Sequence, residues 1–184
     1  HYAGAYVGSS LSVRVTGHGD PDDGRFDTPA EVPFAHGMCL ARRAVFDAIG
    51  SVDEGFGLGF FEEVDYQLRA RRRGFRAVYV PQSLIVHATS KAFDLHPGGY
   101  KEELLTRNWL RVMALHWPLT WIARRAPVEL VRPLRALAGG KDARPSWRGL
   151  VGFVRSLPEV LAKRRKLKQT GLVLHLAELR KERL

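Results

Sequence analysis

The 184-residue sequence contains a single cysteine, Cys39, so no disulfide can form within the chain and a cysteine-rich zinc site is excluded. A reducing, cytoplasmic setting fits that usage. Long hydrophobic runs are missing as well. A membrane-spanning helix needs on the order of 18 to 20 apolar residues, and the nearest candidate, Val112 to Ala123, is interrupted by His116 and Pro118. No secretory leader pattern stands at the visible start, and neither internal repeats nor low-complexity tracts are present. Methionine is scarce. The chain opens at His1 and reaches its first methionine at Met38, so it is expected to be part of a longer protein. What is there looks globular: 45% hydrophobic and 26% charged residues exclude wholesale disorder.

The net charge of +10 is unevenly placed. Residues 1–100 carry 10 Lys/Arg against 12 Asp/Glu, and residues 101–184 carry 19 against 7. Two domains are therefore expected, with a boundary at 100/101. The acidic half suits a cation or a sugar, and the basic half suits phosphate, whether of lipid or of nucleic acid.

Along the chain, Tyr2 to Val15 alternates apolar and polar residues and reads as extended structure. Gly17 to Pro29 is a loop rich in glycine, proline and aspartate. A strand is expected over 31–40, then a helix over 41–49 that Gly50 stops. After the glycine-rich turn 51–59, a helix is expected from about Phe60 to Gly74, with acids in its first turns and arginines in its last, as the helix dipole favours. Strands over 75–80 and 84–87 follow. Beyond Lys101 the pattern predicts helices over 101–116, 119–138, 147–168 and 171–183.

Three features bear on chemistry: Glu62-Glu63-Val64-Asp65 opening a helix, His87 closing a strand, and the glycine-rich turn before the acids. A carboxylate fixed on a first helical turn suits general-base work, and a neutral imidazole at a strand end suits cation binding. The same residues also admit plainer roles. Acids at a helix start commonly serve the dipole, Asp53-Glu54 reads as a turn and cap pair, and His18, His36 and His96 read as loop residues. Asp20-Pro21-Asp22 reads as a turn rather than a metal motif.

The wording of the sequence adds to its period. Val32-Pro-Phe-Ala-His-Gly-Met-Cys-Leu-Ala-Arg-Arg-Ala-Val-Phe, Ile49-Gly-Ser-Val-Asp-Glu-Gly-Phe, Phe60-Phe-Glu-Glu-Val-Asp-Tyr-Gln-Leu-Arg, Arg73-Gly-Phe-Arg-Ala-Val-Tyr-Val-Pro and Val86-His-Ala-Thr-Ser follow one another in the order found in family 2 glycosyltransferases of the rhamnosyltransferase-like kind. The resemblance covers about the first 110 residues. It implies an α/β fold, the C-terminal part of a Rossmann-like GT-A domain, with residues 101–184 as an appended amphipathic helical tail. It also implies inverting transfer from a nucleotide-sugar donor to a glycan or lipid-linked acceptor. Glu63 falls on the family's catalytic base, with Glu where Asp is typical. Glu62 and Asp65 fall beside the acceptor or orient the base, His36 and Gly37 fall where the chain passes the acceptor sugar, and His87 falls on the ligand of a divalent cation, Mg or Mn. The donor-binding half is not in this sequence, so the chain alone is expected to be inactive.

In the basic half, Trp109, Trp117, Trp121, Trp147 and Phe153 interleave with arginines, a pattern that suits an anionic membrane surface. A peripheral position at the inner face of the cell membrane is expected. Plain packing of the helices with a solvated basic face is the competing expectation. Arg107 and Asn108 are expected to close over the donor diphosphate. A nucleic-acid-binding module and a non-catalytic scaffold of the transferase fold are the alternative functions; no nucleic-acid motif is present, so no nucleic acid is expected.

Overall fold

The computed structural model describes residues 2–7, 13–21, 23–35, 37–85, 93, 95, 96 and 98–169. His36, His87 and the helix expected over 171–183 lie outside them. The described residues form two compact units, one drawn from residues 2–52 and 63–85 and the other from 53–62 and 93–169.

In the first unit, β1 (Ala5–Val7) pairs antiparallel with β2 (Val13–Val15), Ala5 opposite Val15. β3 (Ala30–Val32) pairs antiparallel with β4 (Ala77–Tyr79). Ala5 and Phe34 exchange backbone hydrogen bonds of 2.8 and 3.1 Å that tie the two pairs together. The strand expected over 31–40 is cut short because Pro33 has no N–H to extend a ladder. Residues 84 and 85, the described part of the strand expected over 84–87, are irregular. The mixture of helix and strand fits an α/β class; among the described residues the strands are short and antiparallel, and a parallel Rossmann-like sheet is not among them.

α1 (Arg43–Ile49) ends as expected at Gly50, whose φ of 75° lies in the left-handed region. α2 (Glu62–Arg72) ends just as clearly. The N–H of Gly74 donates to Arg71 O and that of Phe75 to Ala70 O, and Gly74 takes a φ of 82°. This is a Schellman ending, with Phe75 packing back on the cluster of Val45, Tyr66 and Ala70.

The second unit is helical: α3 (Tyr100–His116), α4 (Leu119–Leu130), α5 (Arg132–Ala138) and α6 (Arg144–Gln169). The single helix expected over 119–138 breaks at Val131. Pro133 lacks an N–H, and its ring opposes the carbonyl four residues back. α6 starts earlier than expected because Pro145 occupies its first turn, where no N–H is needed. α3 packs along α6 through Gly149, where a Cβ would lie 2.6 Å from Glu103 O.

Three tryptophans expected at a lipid boundary are instead core residues. Trp109, Trp117 and Trp121 are buried and meet edge to face, with ring centroids 4.9 and 5.7 Å apart. Trp109 Nε1 donates to Glu129 Oε1 at 3.2 Å, and this fully buried carboxylate also receives Arg125 and Arg132. Arg124, Arg135, Arg148 and Arg155 remain exposed, so much of the basic face is still turned to solvent. Trp147 is exposed. No helix of the described residues is long and apolar enough to cross a membrane.

Candidate functional site

Glu63 stands in the first turn of α2, half-buried. Gly37 lies close by; a Cβ there would sit 4.0 Å from Glu63 Cγ. Gln67, one turn further along α2, holds the chain leading to Gly37. Its Nε2 donates to Ala35 O at 2.8 Å, and its Oε1 accepts from the Ala35 N–H. Cys39, although exposed, also senses this corner: partial desolvation, and then the charge of Glu63, push its thiol pKa up.

Asp65, expected beside the acceptor or orienting the base, is buried and accepts from Arg69 Nε at 2.9 Å. Arg69 in turn donates to Ile49 O at 2.7 Å and Ser51 O at 3.0 Å. In this structure Asp65 braces the guanidinium that ties α2 to the end of α1. Among the described residues no three His, Cys, Asp or Glu side chains converge as a metal ion requires.

In the helical unit the turn 53–62 is held from several sides. Asp53 caps the 3-10 turn Glu54–Phe56, accepting from Gly55 N at 2.9 Å. It also accepts from Arg111 Nη2 at 2.8 Å and from Lys163. Arg111 is 1% exposed, donates to both Glu159 oxygens, and lies over the Phe56 ring. Position 55 must be glycine, because a Cβ would sit 2.2 Å from Arg111 Nη2. Burial pushes the Asp53 pKa up, yet the hydrogen bonds from Lys163, Arg111 and Gly55 outweigh it and hold the carboxyl at about 2. Glu159 is held at about 2 chiefly by its hydrogen bonds from Arg111.

Asn108 is fully buried. Its Nδ2 donates to Phe56 O at 2.9 Å, Gly59 O at 2.7 Å and Phe60 O at 3.0 Å, while its Oδ1 accepts from Arg107 Nε at 2.9 Å. Arg107 Nη2 adds a bond of 2.7 Å to Phe56 O. In this structure the amide of Asn108, expected to close over a diphosphate, is sealed and committed to three carbonyls. Arg107 shares the same duty. Phe60 stacks on Phe93 with centroids 4.7 Å apart, and Phe61 packs on Trp109. Glu62 Oε2 is buried with no hydrogen-bond partner among the described residues.

The hydrogen bonds of Gln67, Arg111 and Asn108 and the ion pairs of Asp53 are not legible in the sequence. A faint signal existed for two of them: Gln67 lies four residues after Glu63 on one helical face, and Asn108 is a polar residue inside an apolar stripe.

The acid-bearing segment is also where comparison with known families finds a match. Residues 25–96 match the family model described as glycosyltransferase like family 2, which bears out the resemblance drawn from the motifs over that stretch and is consistent with a fragment of that family. The matched segment includes His36, Gly37, Glu62, Glu63, Asp65 and His87. Neither the curated proteins nor the solved structures gave a match.

Proposed function

We propose that this chain is the acceptor side of an inverting, nucleotide-sugar-dependent glycosyltransferase acting on a glycan or lipid-linked acceptor, with Glu63 as general base. The family match across the acids carries the reading; the nearness of Glu63 to Gly37 and the unpartnered oxygen of Glu62 support it. In the proposed step the acceptor hydroxyl oxygen attacks the anomeric carbon as the bond to the diphosphate breaks. The bonding pair leaves with the diphosphate, and the hydroxyl proton passes to Glu63. Glu62 stands beside the acceptor or orients the base. A divalent cation, Mg or Mn, held by His87 is part of this proposal and would neutralise the departing diphosphate.

The test is nucleoside diphosphate release from a panel of nucleotide sugars, in a longer form that supplies a donor-binding half. Glu63→Gln should cost about 10²- to 10⁴-fold in turnover, the usual worth of a positioned base, while Glu63→Asp keeps activity. In the present chain, Glu63→Gln removes one cause of the raised Cys39 pKa, so Cys39 should alkylate faster at a given pH. Unchanged turnover in Glu63→Gln would remove the base assignment, and no turnover in either the native or the Glu63→Asp form would favour the scaffold.

The proposal extends to a peripheral position on an anionic membrane at the inner, cytoplasmic face. One observation favours it: an apolar cleft of about 550 Å³ between α3, α4 and α6, lined by Ile122, Leu130, Trp147, Val151 and Val154 with Arg155 at hand. Leu119, Leu134 and Leu137 are exposed on α4 and α5. Anionic vesicles should capture the chain, less so as salt rises and screens the charge. Equal capture by neutral vesicles would count against it.

A further inference from the structure

Asparagine is a weak helix former, yet Asn108 sits in the middle of α3 with its side chain sealed from solvent. Every polar atom of that side chain is engaged: Nδ2 with the carbonyls of Phe56, Gly59 and Phe60, and Oδ1 with Arg107. The backbone shows what needs holding. Phe60 and Phe61 have φ of 68° and 70°, the left-handed region that is unfavourable for bulky L-residues. Two such residues in succession stand directly before Glu62, where α2 begins. Strain of this kind persists only where the surroundings over-determine it. Here Asn108 fixes the carbonyls on either side of the turn, Arg107 doubles the hold on Phe56 O, and Arg111 supports Gly55 and Phe56 from below.

We propose that Asn108, seconded by Arg107 and Arg111, is a positioning residue: α3 is the template on which the left-handed turn is wound, and that turn sets how Glu62 is presented. The role of the acids rests on the sugar-transfer reading; the templating of the turn does not. The helical extension is then part of the acid-presenting apparatus rather than an appendage to it.

Hydrogen exchange read by mass spectrometry on the whole 184-residue chain tests this. In Asn108→Ala the amides of residues 54–62 should exchange about 10-fold faster or more, the scale expected for loss of buried hydrogen bonds, with β1 and β2 unchanged. Asn108→Asp is nearly isosteric but sets a carboxylate against three carbonyl oxygens, so the same amides should exchange faster still. Adding Phe60→Gly, which accepts a φ of 68° without strain, should bring Asn108→Ala back toward native rates. Where turnover can be followed in a longer form, Asn108→Ala should lower kcat and leave the donor KM in place. A uniform rise in exchange across the chain, or no recovery with Phe60→Gly, overturns the proposal. A restored turn in a protein whose turnover ignores both Glu62 and Glu63 would instead sink the sugar-transfer reading and leave the template standing.

Discussion

Arg111→Ala is expected to destabilise the helical unit by about 3–5 kcal/mol, the usual result of removing one partner from a buried ion pair. The guanidinium is 1% exposed and stands between Asp53, itself 10% exposed, and Glu159. Without it Asp53 keeps Lys163 and the Gly55 N–H but remains a largely buried anion with one donor fewer. The Phe56 ring also loses the group that lies over it. Because the cost comes from the stranded carboxylate, Arg111→Met combined with Asp53→Asn should recover most of it. Urea unfolding followed by circular dichroism measures both.

The same network sets an acid limit. The folded-state pKa of Asp53, about 2, lies below the ordinary aspartate value of 3.8. An acid depressed in this way contributes stability that is fully present above about pH 4 and is lost as pH falls through about 2. The contribution is about 2 kcal/mol, from 1.36 kcal/mol per pKa unit. Glu159 is shifted in the same direction but is half exposed, where solvent screening leaves little of it. Native protein should therefore lose stability steeply between pH 4 and pH 2, and Arg111→Ala should show a flatter dependence there. A variant within about 1 kcal/mol of native at neutral pH would contradict the account.

Trp117→Ala should cost about 3–5 kcal/mol, as large-to-small changes at buried aromatic positions do. Trp117 is 2% exposed and lies between Trp109 and Trp121. Its loss opens a cavity and breaks both edge-to-face contacts. Trp147, 47% exposed, provides the comparison. Trp147→Ala should change stability by less than about 1 kcal/mol and show its effect, if the membrane position holds, in capture by anionic vesicles. Equal stability losses for the two variants would mean that the partition between core and surface tryptophans is wrong.

Where the sequence could be read and where it could not follows from the range of the interactions. α2 was legible because acids first, arginines last and Gly74 are all local signals, and the Schellman ending formed as that glycine implied. α1 stopped at Gly50 for the same reason. The expectation failed at Pro133 and Pro145 through the detail of where a proline falls within a turn. The tryptophans misled because an amphipathic stripe looks the same whether it faces lipid or another helix. Asp53 read as a cap, which it is, but its ion pairs join residues 58 and 110 positions away. Nothing local says that the amide of Asn108, deep in a helix, will bind the backbone of a turn some fifty residues earlier.

The grouping of residues 53–62 with α3 and α6 bears on how this protein can be cut. The stretch that matches the family model stops at residue 96, before Arg107, Asn108, Arg111 and Lys163. A fragment trimmed to that match would keep the two left-handed phenylalanines and the buried aspartate while discarding every helical side chain that steadies them. Homology and foldability thus have different borders in this chain, and a workable excision has to follow the second.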